Sequence, residues 1–326
     1  MYLTFYRLAE KPFNLTPDPR FLYLSPGHRE ALTQLLYGVQ ERKGFIVLTG
    51  KVGTGKTTLL HALRQRLNGQ LVIASVVHST LSFDGILDYV LEDLGIAKGG
   101  ESQAQRLIAL KNFLTDRDRA GQSTVLFLDE AQNLEPPTLE EIRLLSNVET
   151  PTNKLLQIVL TGQPELKAKL NLPELRQLTQ RIGLRCQIPP LTPKETRHYI
   201  QTRLRIAGAS DLGLFTDAAV DRIARYSEGI PRLVNMVCDH CLLFGYADQK
   251  RWIDRHIVNH AIEYLEEGTA LRRKISGLRR SKVHGRLLLG LGTLAAFLAG
   301  AVLGVALRSD PAALGLMQSV RHLLIP

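Results

Sequence analysis

Four short apolar runs punctuate the first half of the chain: "FIVLTG" from 45, "LVIASVV" from 71, "TVLFLD" from 124 and "LLQIVLTG" from 155. Each is too short for a buried helix and rich in β-branched residues, which predicts interior strands. Amphipathic stretches lie between them. "GHREALTQLLYGVQERKG" places Leu32, Leu35, Leu36 and Val39 on one helical face and stops at Gly44. "KTTLLHALRQRLN", "FDGILDYVLEDLG", "AQRLIALKNFLTDRDRAG" and "TLEEIRLLSNVET" read as helices in the same way. Alternating strands and helices predict a parallel sheet covered on both faces. The first 26 residues, rich in proline and aromatics as in "EKPFNLTPDPRFLYLSP", are too punctuated for a helix before Pro26.

Beyond "CQIPPLTPKE" the strand pattern ends. "PKETRHYIQTRLRIAG", "TDAAVDRIARYSEG", "IPRLVNMVCDHCLLFGYAD" and "DRHIVNHAIEYLEE" predict four helices separated by Gly, Asp and Ser. The organisation expected is an α/β unit over 1–190, a helical subdomain over 191–268, a basic linker over 269–286 and an apolar segment over 287–307. A tail over 308–326 follows.

The apolar segment runs from Leu287 to Leu307 without a charge, and Thr293 is its one polar residue. At 1.5 Å per residue such a helix spans about 30 Å, the thickness of the bilayer hydrocarbon, so a transmembrane helix is expected. Ala296, Gly300 and Gly304 are small residues four apart along it and form a candidate packing seam.

Charge changes the picture in one respect. The 326 residues carry a formal +10, which on its own suggests a nucleic-acid partner. Seven of those charges lie in "LRRKISGLRRSKVHGR" (271–286) and one more after it, which leaves +2 for residues 1–270. The basicity therefore sits beside the apolar segment, where it suits anionic lipid headgroups and, by the positive-inside rule, keeps the preceding residues cytoplasmic. Three cysteines argue against a disulfide framework. Cys238 and Cys241 fall on one face of an apolar helix and are expected to be core. The opening "MYLTFYRLAEKPFN" lacks the pattern of a secretory leader.

Two motifs carry chemistry. "GKVGTGKT" fits G-x-x-x-x-G-K-[ST], following an expected strand and opening an expected helix. The residues concerned are Gly50, Lys51, Val52, Gly53, Thr54, Gly55, Lys56 and Thr57, with Thr58 in the first turn. Backbone N–H groups of such a loop surround phosphate oxygens, aided by the helix dipole. Lys56 would reach the β- and γ-phosphates of a nucleotide, and the Thr57 hydroxyl would hold Mg²⁺. "TVLFLDEAQNL" then ends a strand in Asp129 and Glu130. Asp129 would bind Mg²⁺ and Glu130 would polarise the attacking water, so ATP hydrolysis is expected rather than binding alone.

These motifs, with "LTGQPEL", "RQLTQRI" and "GIPRLVN" in that order and the opening "PFNLTPDPRFLYLSPGHREAL", resemble the AAA+ ATPases of the ExeA-like (general secretion pathway protein A) family. The resemblance runs from about residue 5 to about 268. It implies a P-loop AAA+ module followed by a helical lid. It also implies that Gln163 is the sensor-1 residue, with Thr161 as the alternative, and that Arg232 is sensor 2. Arg181 would be a finger acting on a neighbouring subunit's nucleotide, with Arg176 and Arg185 as rivals, so a homo-oligomer is implied. Two departures stand out. Lys51 occupies a position where relatives usually carry an acid, and the residues after 307 are too few for the family's peptidoglycan-binding domain.

The function expected is an ATPase anchored in the bacterial inner membrane that serves assembly or operation of an envelope system: type II secretion, a pilus or exopolysaccharide export. ATP and Mg²⁺ are its expected cofactors, and envelope-assembly proteins its expected partners. The alternative is a DNA-associated ATPase of the transposition-helper type, which the near-neutral body disfavours. A nucleotide-dependent scaffold with negligible turnover is a third possibility.

Overall fold

The computed structural model describes residues 1–267 apart from 17, 68, 70, 78–79, 98–101 and 151–152. Contrary to the reading of the opening segment, a short helix α1 (Tyr2–Tyr6) forms there. Tertiary packing outweighs its five-residue length: the Tyr2 hydroxyl donates to Asp239 Oδ1 at 2.6 Å and the Tyr6 hydroxyl to the Lys250 carbonyl at 3.0 Å. The basic linker, the proposed span and the tail lie outside the described residues. Among the described residues no helix is long and apolar enough to cross a membrane.

Five parallel strands make the sheet: β1 (Phe45–Thr49), β2 (Leu71–Val76), β3 (Ser123–Leu128), β4 (Leu156–Gly162) and β5 (Ile182–Gln187). Their order is β2-β3-β4-β1-β5. The four expected strands are present. β5 is additional, an edge strand on which Cys186 is buried while Gly183, Arg185 and Gln187 face out. A half-exposed strand of six residues that includes Gly and Arg leaves little hydrophobic signal, which is why the pattern did not reveal it.

Period-two alternation sorts the strand residues onto two faces. Ile46, Leu48, Val125, Phe127 and Val159 pack under α2 (Pro26–Gln40) and α3 (Lys56–Arg66). Val47, Leu126, Leu128, Ile158 and Leu160 pack on the opposite face. There they meet α4 (Phe83–Asp93), α5 (Gln103–Arg119), α6 (Pro136–Leu145), α7 (Pro164–Leu170) and α8 (Arg176–Arg181). Both faces are thus dry, and the central strands read as continuous apolar runs.

After β5 only helices follow among the described residues: α9 (Pro193–Ile206), α10 (Asp217–Ser227), α11 (Pro231–Ala247) and a last helix over 255–267. Thr192 and Glu195 form a capping box that starts α9 at Pro193, and Thr216 caps α10. Gly229, between α10 and α11, has φ +71°, and a Cβ there would sit 1.8 Å from the Leu191 carbonyl oxygen. That approach lets the Leu191 N–H donate to the Gly229 carbonyl at 2.8 Å and ties the entry of α9 to the start of α11. Cys238 and Cys241 are fully buried on α11 and Cys186 on β5, so all three thiols are core. Burial pushes each of them up, Cys186 to about 12. No cluster of His, Cys, Asp or Glu suited to a metal ion occurs among the described residues.

Candidate functional site

The phosphate-type loop joins β1 to α3. Gly55 caps α3 without a side chain, so the first-turn N–H groups of the helix have no side-chain acceptor there. Inside the loop the Thr54 hydroxyl donates to the Lys51 carbonyl at 2.8 Å, and the Thr54 residue is wholly buried. The Lys56 ammonium, only 6% exposed, donates to the Gly50 carbonyl at 2.9 Å and the Lys51 carbonyl at 3.4 Å. A buried cation held by neutral carbonyls at the mouth of a helix N-terminus is an anion site by construction.

His28 supports this loop from α2, a contribution the sequence reading missed. Its Nε2 lies 2.8 Å from the Thr54 carbonyl, which accepts only, so Nε2 carries the proton. Nδ1 then accepts from the Ser25 hydroxyl at 2.7 Å, and that hydroxyl oxygen in turn accepts from the His28 backbone N–H to cap α2. Burial depresses the His28 pKa, against the upward pull of the Thr54 bond and Glu195.

Parallel pairing sets the ends of β3 and β4 side by side next to β1: Leu128 pairs with Leu160, and Leu48 with Thr161. The Thr161 hydroxyl donates to Asp129 Oδ1 at 2.5 Å, and the Glu130 N–H donates to the same oxygen at 2.9 Å. Glu130 itself stands at φ 50°, ψ 39°, a left-handed conformation costly for a residue with a Cβ and typical of functional turns. Its Oε2 accepts from Gln163 Nε2 at 3.0 Å and from Gln132 Nε2 at 2.5 Å. Burial raises the Glu130 pKa, but those two amides and the nearby Lys56 charge outweigh it and hold the carboxyl below its ordinary value.

A cleft of about 320 Å³ opens over the loop. Of the expected site residues, Gly53, Thr54, Gly55, Lys56, Thr57, Thr58, Glu130 and Arg232 line it. Arg232 is the second residue of α11, and its backbone N–H donates to the Gly53 carbonyl at 3.3 Å. Gly50, Lys51, Val52, Asp129 and Gln163 stand behind or beside the lining. Lys51 reaches instead to Glu228, 2.9 Å away, and this exposed pair lowers the Glu228 pKa through its hydrogen bond and charge. Arg181 is not part of the lining. It donates to Ser146 Oγ at 3.2 Å and to Asn147 Oδ1, at the end of α6.

The far wall was not foreseen. It comes from the proline-rich opening (Asn14, Leu15, Thr16, Asp18, Phe21, Leu22, Tyr23) and from Tyr199, Arg203 and Asn235 on α9 and α11. Arg203 is 7% exposed. Its Nε donates to the Pro12 carbonyl at 2.5 Å, Nη1 to the Tyr199 hydroxyl at 2.9 Å and Nη2 to the Asn14 carbonyl at 3.4 Å. Its guanidinium lies 4.8 Å from the Phe21 ring centre. The Tyr199 hydroxyl donates onward to Asn235 Oδ1 at 2.9 Å. A helical wheel of α9 holds the signal for this residue, because Tyr199 and Arg203 are one turn apart on its buried face.

Comparison with known proteins agrees with this geometry. Residues 39–170 match the family described as AAA domain. General secretion pathway protein A of Aeromonas hydrophila is 41% identical over 76% of this chain and 45% of its own length. The Holliday junction branch migration complex subunit RuvB of Chlorobaculum parvum is 26% identical over 68% of this chain and 58% of its own. The chain thus spans about half the length of the curated relatives it matches. Among solved structures, the Aeropyrum pernix ORC2 protein superimposes with a TM-score of 0.59 at 18% identity, covering 78% of this chain and 71% of that one. Cdc6p from Pyrobaculum aerophilum gives 0.56 at 22% identity, covering 73% and 68%. At such identities these structures show a shared fold alone. Phosphate loop, acidic strand end and sheet order thus agree with the match of residues 39–170 to the AAA domain, and the chain is similar to general secretion pathway protein A.

Proposed function

We propose that the chain binds ATP with Mg²⁺ in this cleft, hydrolyses it, and passes the resulting change through the helical region to a bacterial envelope system. The observation that carries the reading is the convergence of the buried Lys56, the strained Glu130 and Arg232 on one cleft. In this reading the loop N–H groups and Lys56 hold the phosphates, Glu130 takes the proton of the attacking water, and Gln163 orients that water. Thr57 and Asp129 would hold Mg²⁺, which suits a hydroxyl and a carboxylate as hard oxygen donors and which, when bound, neutralises phosphate charge. Arg232 reports nucleotide state to α11. Arg181, engaged away from its own cleft, would act on a neighbouring copy. The name of the Aeromonas relative supports a secretion role. The uncharged segment 287–307 with its basic flank supports an inner-membrane anchor.

Two substitutions separate binding from turnover. Lys56→Ala should weaken ATP binding, because the phosphates lose their fixed cation. Glu130→Gln should retain ATP but release little phosphate, since an amide cannot accept the proton. Phosphate release at the wild-type rate from Glu130→Gln would refute the assignment. The RuvB match favours a second reading, a DNA-associated ATPase, which retention of the protein on duplex DNA at about 0.15 M salt would support.

A further inference from the structure

Within this site the sequence reading gave Gln132 no role. It sits in the single 3-10 turn Ala131–Asn133 that follows Glu130. Both ends of its amide are engaged. Nε2 donates to Glu130 Oε2, and Oε1 accepts from the Gln163 backbone N–H at 3.1 Å. Gln163 Nε2 falls on the same Glu130 oxygen. Three residues from two strand ends therefore form a closed ring in which each bonds the other two, Gln132 through the two ends of one side-chain amide.

The surroundings are built around that amide. A Cβ at Gly162 would lie 2.6 Å from Gln132 Oε1, so the end of β4 admits the side chain only because residue 162 has none. The turn's backbone is fixed as well: the Lys169 ammonium on α7 donates to the Gln132 carbonyl at 2.9 Å and the Leu134 carbonyl at 2.6 Å. A flexible side chain in a strained turn is thereby held from both sides.

We propose that Gln132 is a positioning residue for hydrolysis, fixing Oε2 of Glu130 so that Oε1 is the oxygen offered to the attacking water. The proposal rests on Glu130 being the base. Two donors on one carboxylate oxygen leave the other oxygen as the free acceptor and stop the carboxylate from rotating. Orientation of this kind carries large rate factors, because a misplacement of about 1 Å costs about 100-fold. Gln132 also joins Glu130 to the backbone of Gln163, so base and water-orienting residue move as one body with the end of β4.

The test uses the full chain in detergent and the variants Gln132→Met, equal in length without the amide, and Gln132→Asn, one methylene short. Each should lower kcat about 10- to 100-fold while the Kd for ATP stays within about twofold. Gln132→Asn carries the same readouts if the methionine variant does not fold. Wild-type kcat, or equal losses of affinity and rate, would each overturn the proposal. Hydrolysis by Glu130→Gln would instead remove the reading on which it rests, so the two failures are distinct.

Discussion

Arg203 offers the sharpest prediction about how the cleft is held together. Arg203→Met keeps the length and apolar stem of the side chain and removes its charge and every donor. Three hydrogen bonds are lost, to Pro12, Tyr199 and Asn14, of which the last at 3.4 Å is weak. A bond from a charged donor contributes about 1.5–3 kcal/mol, and the stranded Pro12 carbonyl adds its own desolvation cost. Relief of a buried guanidinium offsets part of this, while its stacking over the Phe21 ring is lost as well. The net expectation is a loss of about 2–3 kcal/mol in unfolding free energy. Because Asn14, Leu15, Thr16, Asp18, Phe21, Leu22 and Tyr23 line the cleft through this attachment, the Kd for ATP should rise about tenfold, with kcat at saturation changed less. Urea unfolding followed by circular dichroism, with fluorescent-nucleotide titration of the same samples, measures both quantities. Wild-type stability together with wild-type affinity would refute the strap. Lost stability with unchanged affinity would leave Arg203 a packing residue with no bearing on nucleotide.

Two further predictions follow from groups described above. His28 has its folded pKa below the unfolded value, so it is buried neutral and must charge on unfolding. Its stabilising contribution is present above pH of about 6.5 and is lost as pH falls toward the folded pKa, at up to about 1.4 kcal/mol per pH unit. Wild type should therefore lose more unfolding free energy than His28→Gln between pH 7.5 and 5.5, and equal losses would refute this. Because all three native thiols are buried with raised pKa, the folded protein should resist thiol reagents until unfolded. That silence permits a topology assay: a cysteine at Ser319 should be labelled from outside the inner membrane by an impermeant reagent, and one at Ser281 should not. The reverse pattern would turn the anchor over, and release of the protein by salt alone would remove it.

How much of this was legible in the sequence depends on what each residue signals. β1, β3 and β4 are buried on both faces, so apolar runs marked them plainly. The loop and Glu130 were legible because phosphate chemistry demands particular residue types at fixed spacing. β5 was not, since an edge strand buries one face only. α1 is held by tyrosine hydroxyls bonding across more than 230 residues, which no local pattern records. His28, Arg203 and Gln132 share one reason for escaping notice: each acts through a partner remote in sequence or through a turn whose geometry is tertiary. Of the three, Arg203 alone left a trace, on the buried face of α9.

The folding-back of the opening segment onto α9 and α11 bears on where this chain can be cut. The region recognisable by family is 39–170, and it holds the loop, Asp129, Glu130 and Gln163. Yet the opposite bank of the cleft is supplied by Asn14, Leu15, Thr16, Asp18, Phe21, Leu22 and Tyr23 from one end and by Tyr199, Arg203, Arg232 and Asn235 from the other. A fragment trimmed to the recognisable region would keep the chemistry and lose the enclosure. Its cleft would open to water where the intact chain presents Phe21, Tyr199 and Arg203. The smallest piece able to retain a nucleotide is therefore defined by a guanidinium and two backbone carbonyls near the chain's start.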